Sequence, residues 1–290
     1  MTMTQPHPGQ MLRSGSETFL RILFGLFMAM IAVALTFGSP FWFAAVTCLM
    51  MMLAGREWHR MVRDPAQREA ADRQPIHIQT AVTGATLLFA AAVLLVTGSA
   101  IAVAVLAAGA VAAFALARMR DDNPLWHAGG VLYVGLPVLA LVALKTLAPQ
   151  GPQVLLGLFL IVWSTDTGAL LFGKLIGGAR LAPKLSPGKT WAGTIGGSIT
   201  AAIVFGLYIA VLDFSVTKAM LFALVFSVVA HLGDLFESLV KRHFGYKDSG
   251  GLIPGHGGAL DRVDSLLACS VVMALLVFGL HFNPLFGGHT

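Results

Sequence analysis

Apolar residues in this chain gather into long blocks, without the alternation of a half-buried strand. The blocks fall at 19–37, 40–55, 80–97, 99–117, 125–148, 153–175, 191–212, 217–240 and 264–283. A helix needs about 20 residues to cross about 30 Å of hydrocarbon. The pattern therefore predicts an all-α integral membrane protein of about nine transmembrane helices. The second block is short, but its helix is expected to run on through Glu57 and Trp58. Eight spans is the alternative if that helix only dips into the membrane. Tight turns at Gly38–Pro40 and Thr97–Ser99 predict helical hairpins. Residues 1–18 read as a polar tail, 19–150 as a membrane region of about five spans, and 151–290 as one of about four. The second region carries two polar loops, 176–190 and 241–263.

Composition agrees with a lipid environment. Of 290 residues, 57% are hydrophobic and 11% charged, against about 25% charged in an average soluble domain. The net charge of +5 sits in the loops, so it points to topology, with no nucleic-acid partner implied. All Lys and Arg except Lys145 and Lys218 fall in the N-terminal segment and the second, fourth, sixth and eighth loops. The positive-inside rule then puts the N-terminus in the cytosol and the C-terminus outside. The first block ends in Thr36-Phe37-Gly38-Ser39-Pro40, without a small-x-small cleavage site, so it reads as a retained span. Cys48 and Cys269 lie within apolar blocks and have no metal-ligand spacing. Trp58, Trp126 and Trp191 are expected at the membrane interface. Met50–Met52 and His231 are expected in packing, and Arg56, Glu57, His59 and Arg60 on a solvated helix face.

The chemistry-bearing residues are acids placed in apolar segments, where charge is costly and marks function. Asp166, Asp234 and Glu237 lie inside predicted spans, and Asp261 and Asp264 at the entry to the last. At 1.5 Å per residue, Asp166 lies about 12 Å and Asp234 about 10 Å below the basic ends of their helices. Asp234, Glu237, Ser238 and Lys241 follow i, i+3, i+4, i+7, one helical face. Asp261 and Asp264 share a face at i, i+3. Between the two sets runs a Gly-rich basic loop with Lys241, Arg242, Lys247, Asp248, His256 and Arg262. Glycines let a backbone approach a phosphate and cations neutralise it, so the pattern points to metal–phosphate chemistry. A second basic loop, GKLIGGARLAPKLSPGKTW from Gly173 to Trp191, ends like a P-loop. It fails that pattern at Pro183, with no strand expected ahead of it. Ser186, Lys189 and Thr190 remain candidates for phosphate contact or for a membrane-surface anchor.

These residues also resemble a family. Ser238 to Asp264, SLVKRHFGYKDSGGLIPGHGGALDRVD, closely resembles the long C-terminal motif of phosphatidate cytidylyltransferases, also called CDP-diacylglycerol synthases. Gly233-Asp234-Leu235-Phe236-Glu237-Ser238, Asp166-Thr167-Gly168-Ala169 and Leu181-Ala182-Pro183 with Ser186–Thr190 are similar to that family as well. Ala259 and Ala192 depart from its usual residues. The resemblance covers residues 160–270 and implies that CTP and phosphatidate give CDP-diacylglycerol and pyrophosphate. It implies an enzyme of phospholipid biosynthesis in a bacterial inner (cell) membrane, its active site facing the cytosol. Asp234, Asp261 and Asp264 would be the metal ligands, catalytic together with Lys241 and Arg242. Ser186, Lys189, Thr190, Ser238, Lys247, Asp248, His256, Arg262 and Asp166 would bind substrate. Mg2+ is the expected cofactor, beside a second cation, K+ or another divalent ion. Membrane lipids are expected partners, and a homodimer is left open.

A reading from another class is an ion-coupled transporter with Asp166, Asp234 and Glu237 in its pathway. It accounts for buried acids but not for two basic Gly-rich loops beside them, and no inverted repeat is visible.

Overall fold

The computed structural model describes residues 25–64, 78–98, 100–250, 258–283 and 288–289. The expected tail at 1–18 and His256 lie outside the described residues. Helices occupy all nine apolar blocks: α1 Gly25–Phe37, α2 Pro40–Met61, α3 Ile78–Thr97, α4 Ile101–Arg118, α5 Pro124–Thr146, α6 Gly151–Leu175, α7 Trp191–Val211, α8 Val216–His243 and α9 Asp264–Ala274. A π-helical turn, Leu275–Gly279, extends α9. Six of these, α3 to α8, are long and apolar enough to cross a membrane. The second helix runs past Ala54 to Met61, as the sequence led us to expect.

The all-α expectation needs one amendment. The loop at 176–190 is largely a β-hairpin: β1 Arg180–Ala182 pairs antiparallel with β2 Ser186–Thr190. A second small pair joins β3 Phe282–Asn283 to β4 Gly288–His289. Two prolines, Pro183 and Pro187, disguise the first hairpin in the sequence, although proline is tolerated at a strand edge.

The packing forms two bundles. In the first, α2 and α4 each pack on α3 and on α5; in the second, α6 packs on α7, α7 on α8, and α8 on α9. α5 joins them by touching α6 and α9. α6 and α7 approach closely through small residues. A Cβ on Gly197 would stand 2.5 Å from the Thr165 carbonyl oxygen, and one on Gly193 would stand 2.7 Å from that of Ala169. Small residues four apart bring backbones together where lipid gives no hydrophobic drive between helices. Outward positions such as Phe89, Val111, Leu207 and Val225 remain exposed and apolar, as lipid-facing surfaces must be.

The two ends of the bundle sort the loops as charge had sorted them. At one end the Asn123 amide donates to the Val62 carbonyl at 2.7 Å, the rings of Trp126 and His243 lie 5.4 Å apart, and Arg242 Nε donates to the Leu185 carbonyl at 3.2 Å. At the other, Lys145 donates to the carbonyls of Leu35, Thr36 and Gly38 at 2.7, 2.6 and 2.9 Å. Lys145, one of two basic residues on the poorer side, thus closes the C-terminal carbonyls of α1, where a cation suits the helix dipole.

Two expectations for α2 are corrected. Arg56 and Arg60 are exposed, but Glu57 and His59 are buried and do not form a solvated face. Trp58 is also buried, its indole N–H donating to the Trp126 carbonyl at 2.9 Å, so it packs the core and anchors no interface. Trp191 is exposed. His231 packs against α7, its Nε2 3.3 Å from the Thr194 carbonyl.

Candidate active site

Three helices and one strand bring the intramembrane acids together. Asp166 comes from α6, Asp234 and Glu237 from α8, and Asp264 from the first turn of α9. The β-hairpin returns along them so that Lys189, near the end of β2, reaches Asp234 Oδ2 at 2.5 Å. Ser238 Oγ lies 3.4 Å from Asp234 Oδ1, and Ser265 Oγ donates to Asp166 Oδ1 at 3.5 Å. Asp264 Oδ1 accepts its neighbour's amide, Ser265 N–H, at 2.7 Å. Asp264 lies within electrostatic reach of Asp234, Asp166 and Lys189. Among the described residues three carboxylates thus face one ammonium group, an imbalance that a cation would relieve.

Asp261 stands apart from this set. It lies in a 3-10 turn, Leu260–Arg262, ahead of α9. Its Oδ1 accepts from Lys241 Nζ at 2.7 Å, and its Oδ2 from the amides of Gly258 at 2.9 Å and Ser249 at 3.2 Å. Burial alone would raise its pKa, but the hydrogen bonds from Lys241 and the Gly258 amide outweigh that and hold the carboxyl below its ordinary value. Lys241 also lies 3.0 Å from Glu237 Oε1, whereas Glu237 Oε2 has no partner among the described residues.

The remaining predicted residues fall in two classes. Lys247, Asp248 and Arg262 are exposed, and Arg242 ties α8 to the hairpin tip through Leu185. Thr190 is buried and caps α7, its hydroxyl accepting the Gly193 amide at 3.1 Å. That role explains the residue without substrate, as a threonine before an apolar helix commonly does. Ser186 pairs with Ala182 in the hairpin.

The residue that sequence reasoning missed is Glu57. From α2 it reaches the far bundle's loop, accepting from Ser249 Oγ at 2.9 Å, Ala259 N–H at 3.0 Å and Leu260 N–H at 2.9 Å. The buried stripe Met51, Ala54, Trp58 and Met61 runs past it on the same helix. Following that spacing beyond Ala54 would have put the acid beside buried positions.

Oxygen-only donors on separate elements suit a hard divalent cation such as Mg2+. Among the described residues, no three His, Cys, Asp or Glu side chains converge tightly enough to hold an ion by themselves. Mg2+ tolerates that, because it ordinarily takes one or two protein carboxylates and completes its shell with water and substrate phosphate.

Comparison with known proteins gives the arrangement a family. A model described as the cytidylyltransferase family matches residues 19–280. The chain is similar to the phosphatidate cytidylyltransferase of Brucella suis biovar 1, with 47% identity over 152 residues, 52% of this chain and 56% of that protein. It is similar also to the phosphatidate cytidylyltransferases of Staphylococcus haemolyticus and Staphylococcus aureus strain COL. These are 42% and 43% identical over 149 residues, 51% of this chain and 56% of each relative. The aligned chain spans about half the length of the curated relatives it matches.

Proposed function

The chain belongs to the cytidylyltransferase family, and from that premise we propose that it transfers the cytidylyl group of CTP to phosphatidate, giving CDP-diacylglycerol and pyrophosphate. The carrying observation is the set of Asp166, Asp234 and Asp264 against the ammonium of Lys189, with exposed basic residues nearby. A lipid phosphate oxygen attacks the α-phosphorus of CTP, the α–β phosphoanhydride bond breaks, and pyrophosphate leaves with the bonding electrons. No protein nucleophile is required, because the acceptor supplies its own oxygen.

Two polyanions must meet, so charge neutralisation dominates the barrier. Asp234 and Asp264 are the carboxylates we assign to Mg2+. The sequence put Asp261 with them, but both its oxygens serve Lys241 and loop amides, so its part is to fix those groups beside the cation. Bound there, Mg2+ supplies electrostatic stabilisation of developing phosphate charge. A second cation, K+ or another divalent ion, would find carboxylate charge at Glu237, which lies within electrostatic reach of Asp264. Lys189 and Arg242 offer positive charge to phosphates, as do the exposed Lys247 and Arg262.

An apolar groove of about 660 Å³, lined by Trp58, Tyr133, Phe236, Leu267, Ala268 and Val271 among others, adjoins the acid-bearing turns of α8 and α9. It gives acyl chains a place while the headgroup meets the acids. An apolar groove beside the acids favours transfer to a lipid over the transporter reading, which calls for no acceptor groove. The test is purified protein with phosphatidate, labelled CTP and Mg2+: lipid-dependent release of pyrophosphate and labelled CDP-diacylglycerol are expected, and neither appearing would refute the assignment.

The location we propose is a bacterial inner membrane crossed by nine helices, the site opening to the cytosol. A lone cysteine at Arg120, on the basic end, in a background lacking Cys48 and Cys269, is expected to resist an impermeant thiol reagent in intact cells. Labelling from outside would reverse the orientation.

A further inference from the structure

The sequence assigns the catalytic loop to the second bundle, yet the base of that loop is tied from the first. Ser249 and Gly250 stand on one flank of the 251–257 segment and Gly258, Ala259 and Leu260 on the other. Two carboxylates cross-link the flanks. Asp261 accepts the amides of Ser249 and Gly258, while Glu57 accepts the hydroxyl of Ser249 and the amides of Ala259 and Leu260. The two acids work back to back. Asp261 reports to Lys241 and α8, and Glu57 reports to α2.

The glycines on both flanks fit this contact. A Cβ on Gly250 would meet Glu57 Oε1 at 2.5 Å, Cδ at 2.8 Å and Cγ at 3.1 Å. One on Gly258 would meet Glu57 Oε2 at 2.5 Å. Gly250 does not have a positive φ, so the backbone there would accept alanine. What excludes a side chain at Gly250 is the carboxylate, which needs open access to three donors in a buried place.

We propose that Glu57 is a positioning residue for the transfer reaction: it closes the base of the catalytic loop from the first bundle and so sets Asp261, and through it Lys241, against the α8 and α9 acids. An isolated second bundle would carry the motif without the group that shapes it. The link to turnover rests on the cytidylyl-transfer reading; the clamp itself does not.

The experiment is a double-mutant cycle in the full-length protein, using Glu57→Ala, Gly250→Ala and their combination, with Glu57→Gln as the near-isosteric variant. Glutamine offers one acceptor oxygen where three donors converge, and its NH2 must face an N–H or O–H donor. Each single variant is expected to lose about tenfold or more in kcat at saturating CTP and phosphatidate, a size typical of misplaced catalytic groups. The combination is expected to be no worse than Glu57→Ala alone, because the added methyl enters space the carboxylate has left. Amide exchange at Ser249, Gly250 and 258–260 should quicken in Glu57→Gln without global unfolding. Additive losses, unchanged exchange, or reduced melting temperature with wild-type kcat would each overturn the proposal. If wild-type protein shows no lipid-dependent transfer, the functional reading fails, and exchange with the cycle read on thermal stability still decides the clamp. Should Glu57→Ala fail to fold, Glu57→Gln and Gly250→Ala carry the exchange and kinetic comparisons.

Discussion

Both bundles carry acids, Glu57 and Glu237 buried, Asp122, Asp234 and Asp264 half-buried and Asp166 exposed, and the two bundles treat them differently. In the first, Glu57 accepts three hydrogen bonds. Asp122 accepts the amides of Asp64 and Asn123, each at 2.9 Å, and faces His127 Nε2 at 3.0 Å and Arg63 Nε at 3.6 Å. The network continues inward, His127 Nδ1 to His59 Nδ1 at 2.9 Å and His59 Nε2 to Thr83 Oγ1 at 2.7 Å. Thr83 Oγ1 in turn donates to the Gln79 carbonyl at 2.8 Å, which closes the chain on the backbone. In the second bundle, Asp166, Asp234 and Asp264 share Lys189 as a cationic neighbour, and Glu237 Oε2 has no hydrogen-bond partner among the described residues. Buried polar groups that hold a fold are satisfied within it. Acids left short of donors keep their capacity for something that arrives, and a metal–phosphate pair is what oxygen ligands and basic neighbours can take.

The difference is sharpened most by Asp234→Asn and Asp264→Asn. Asparagine keeps the shape and loses the charge. Each variant is expected to lose a hundredfold or more in Mg2+-dependent turnover, roughly 3 kcal/mol of transition-state stabilisation. Melting temperature in detergent should hold or rise, since carboxylate crowding without metal is relieved. Pyrophosphate release across a Mg2+ series, paired with thermal unfolding, reads both. Near-normal turnover at low Mg2+ in folded variants would put these acids in the same class as Asp122.

A smaller effect is expected at Lys189→Met. Its ammonium is partly exposed and paired to Asp234 at one oxygen, so stability should change by at most about 1 kcal/mol. Turnover should fall about tenfold, because a cation is lost where two polyanions meet. A loss of stability with unchanged turnover would make Lys189 a strut of the hairpin alone.

What the sequence disclosed follows the same division. The helices were visible because lipid imposes long apolar blocks, and Pro40, Pro124 and Thr190 stand at the first turns or caps where their chemistry belongs. The second bundle's acids were visible because charge within an apolar block has no cheap structural explanation. Glu57 was hidden because its partners lie roughly 200 positions away and because REWHR, at a helix end, looks like a wetted face. The strands at 180–190 were hidden by glycine and proline. The separation of Asp261 from Asp234 and Asp264 was also hidden, because i, i+3 spacing assumes one continuous helix and a 3-10 turn precedes α9.

Asp122 provides the counter-test, with the smallest expected effect. Burial would raise its carboxyl, but hydrogen bonds from His127 and the amides of Asp64 and Asn123 outweigh that and bring it down to about 2. A carboxyl depressed on folding contributes stability above its unfolded value, about 3.9. That contribution fades as pH falls from there through the folded value near 2. Asp122→Asn is therefore expected to melt a few degrees below wild type at pH 7, with kcat unchanged. The gap should narrow as pH drops below about 4, because wild type then loses what the variant never had. Thermal unfolding in detergent at pH 7, 5, 4 and 3 measures the gap directly. A gap constant with pH would mean that Asp122 stabilises through shape rather than charge. A fall in turnover at neutral pH would mean that the first bundle's network reaches the chemistry, and the line drawn between satisfied and waiting acids would have to move.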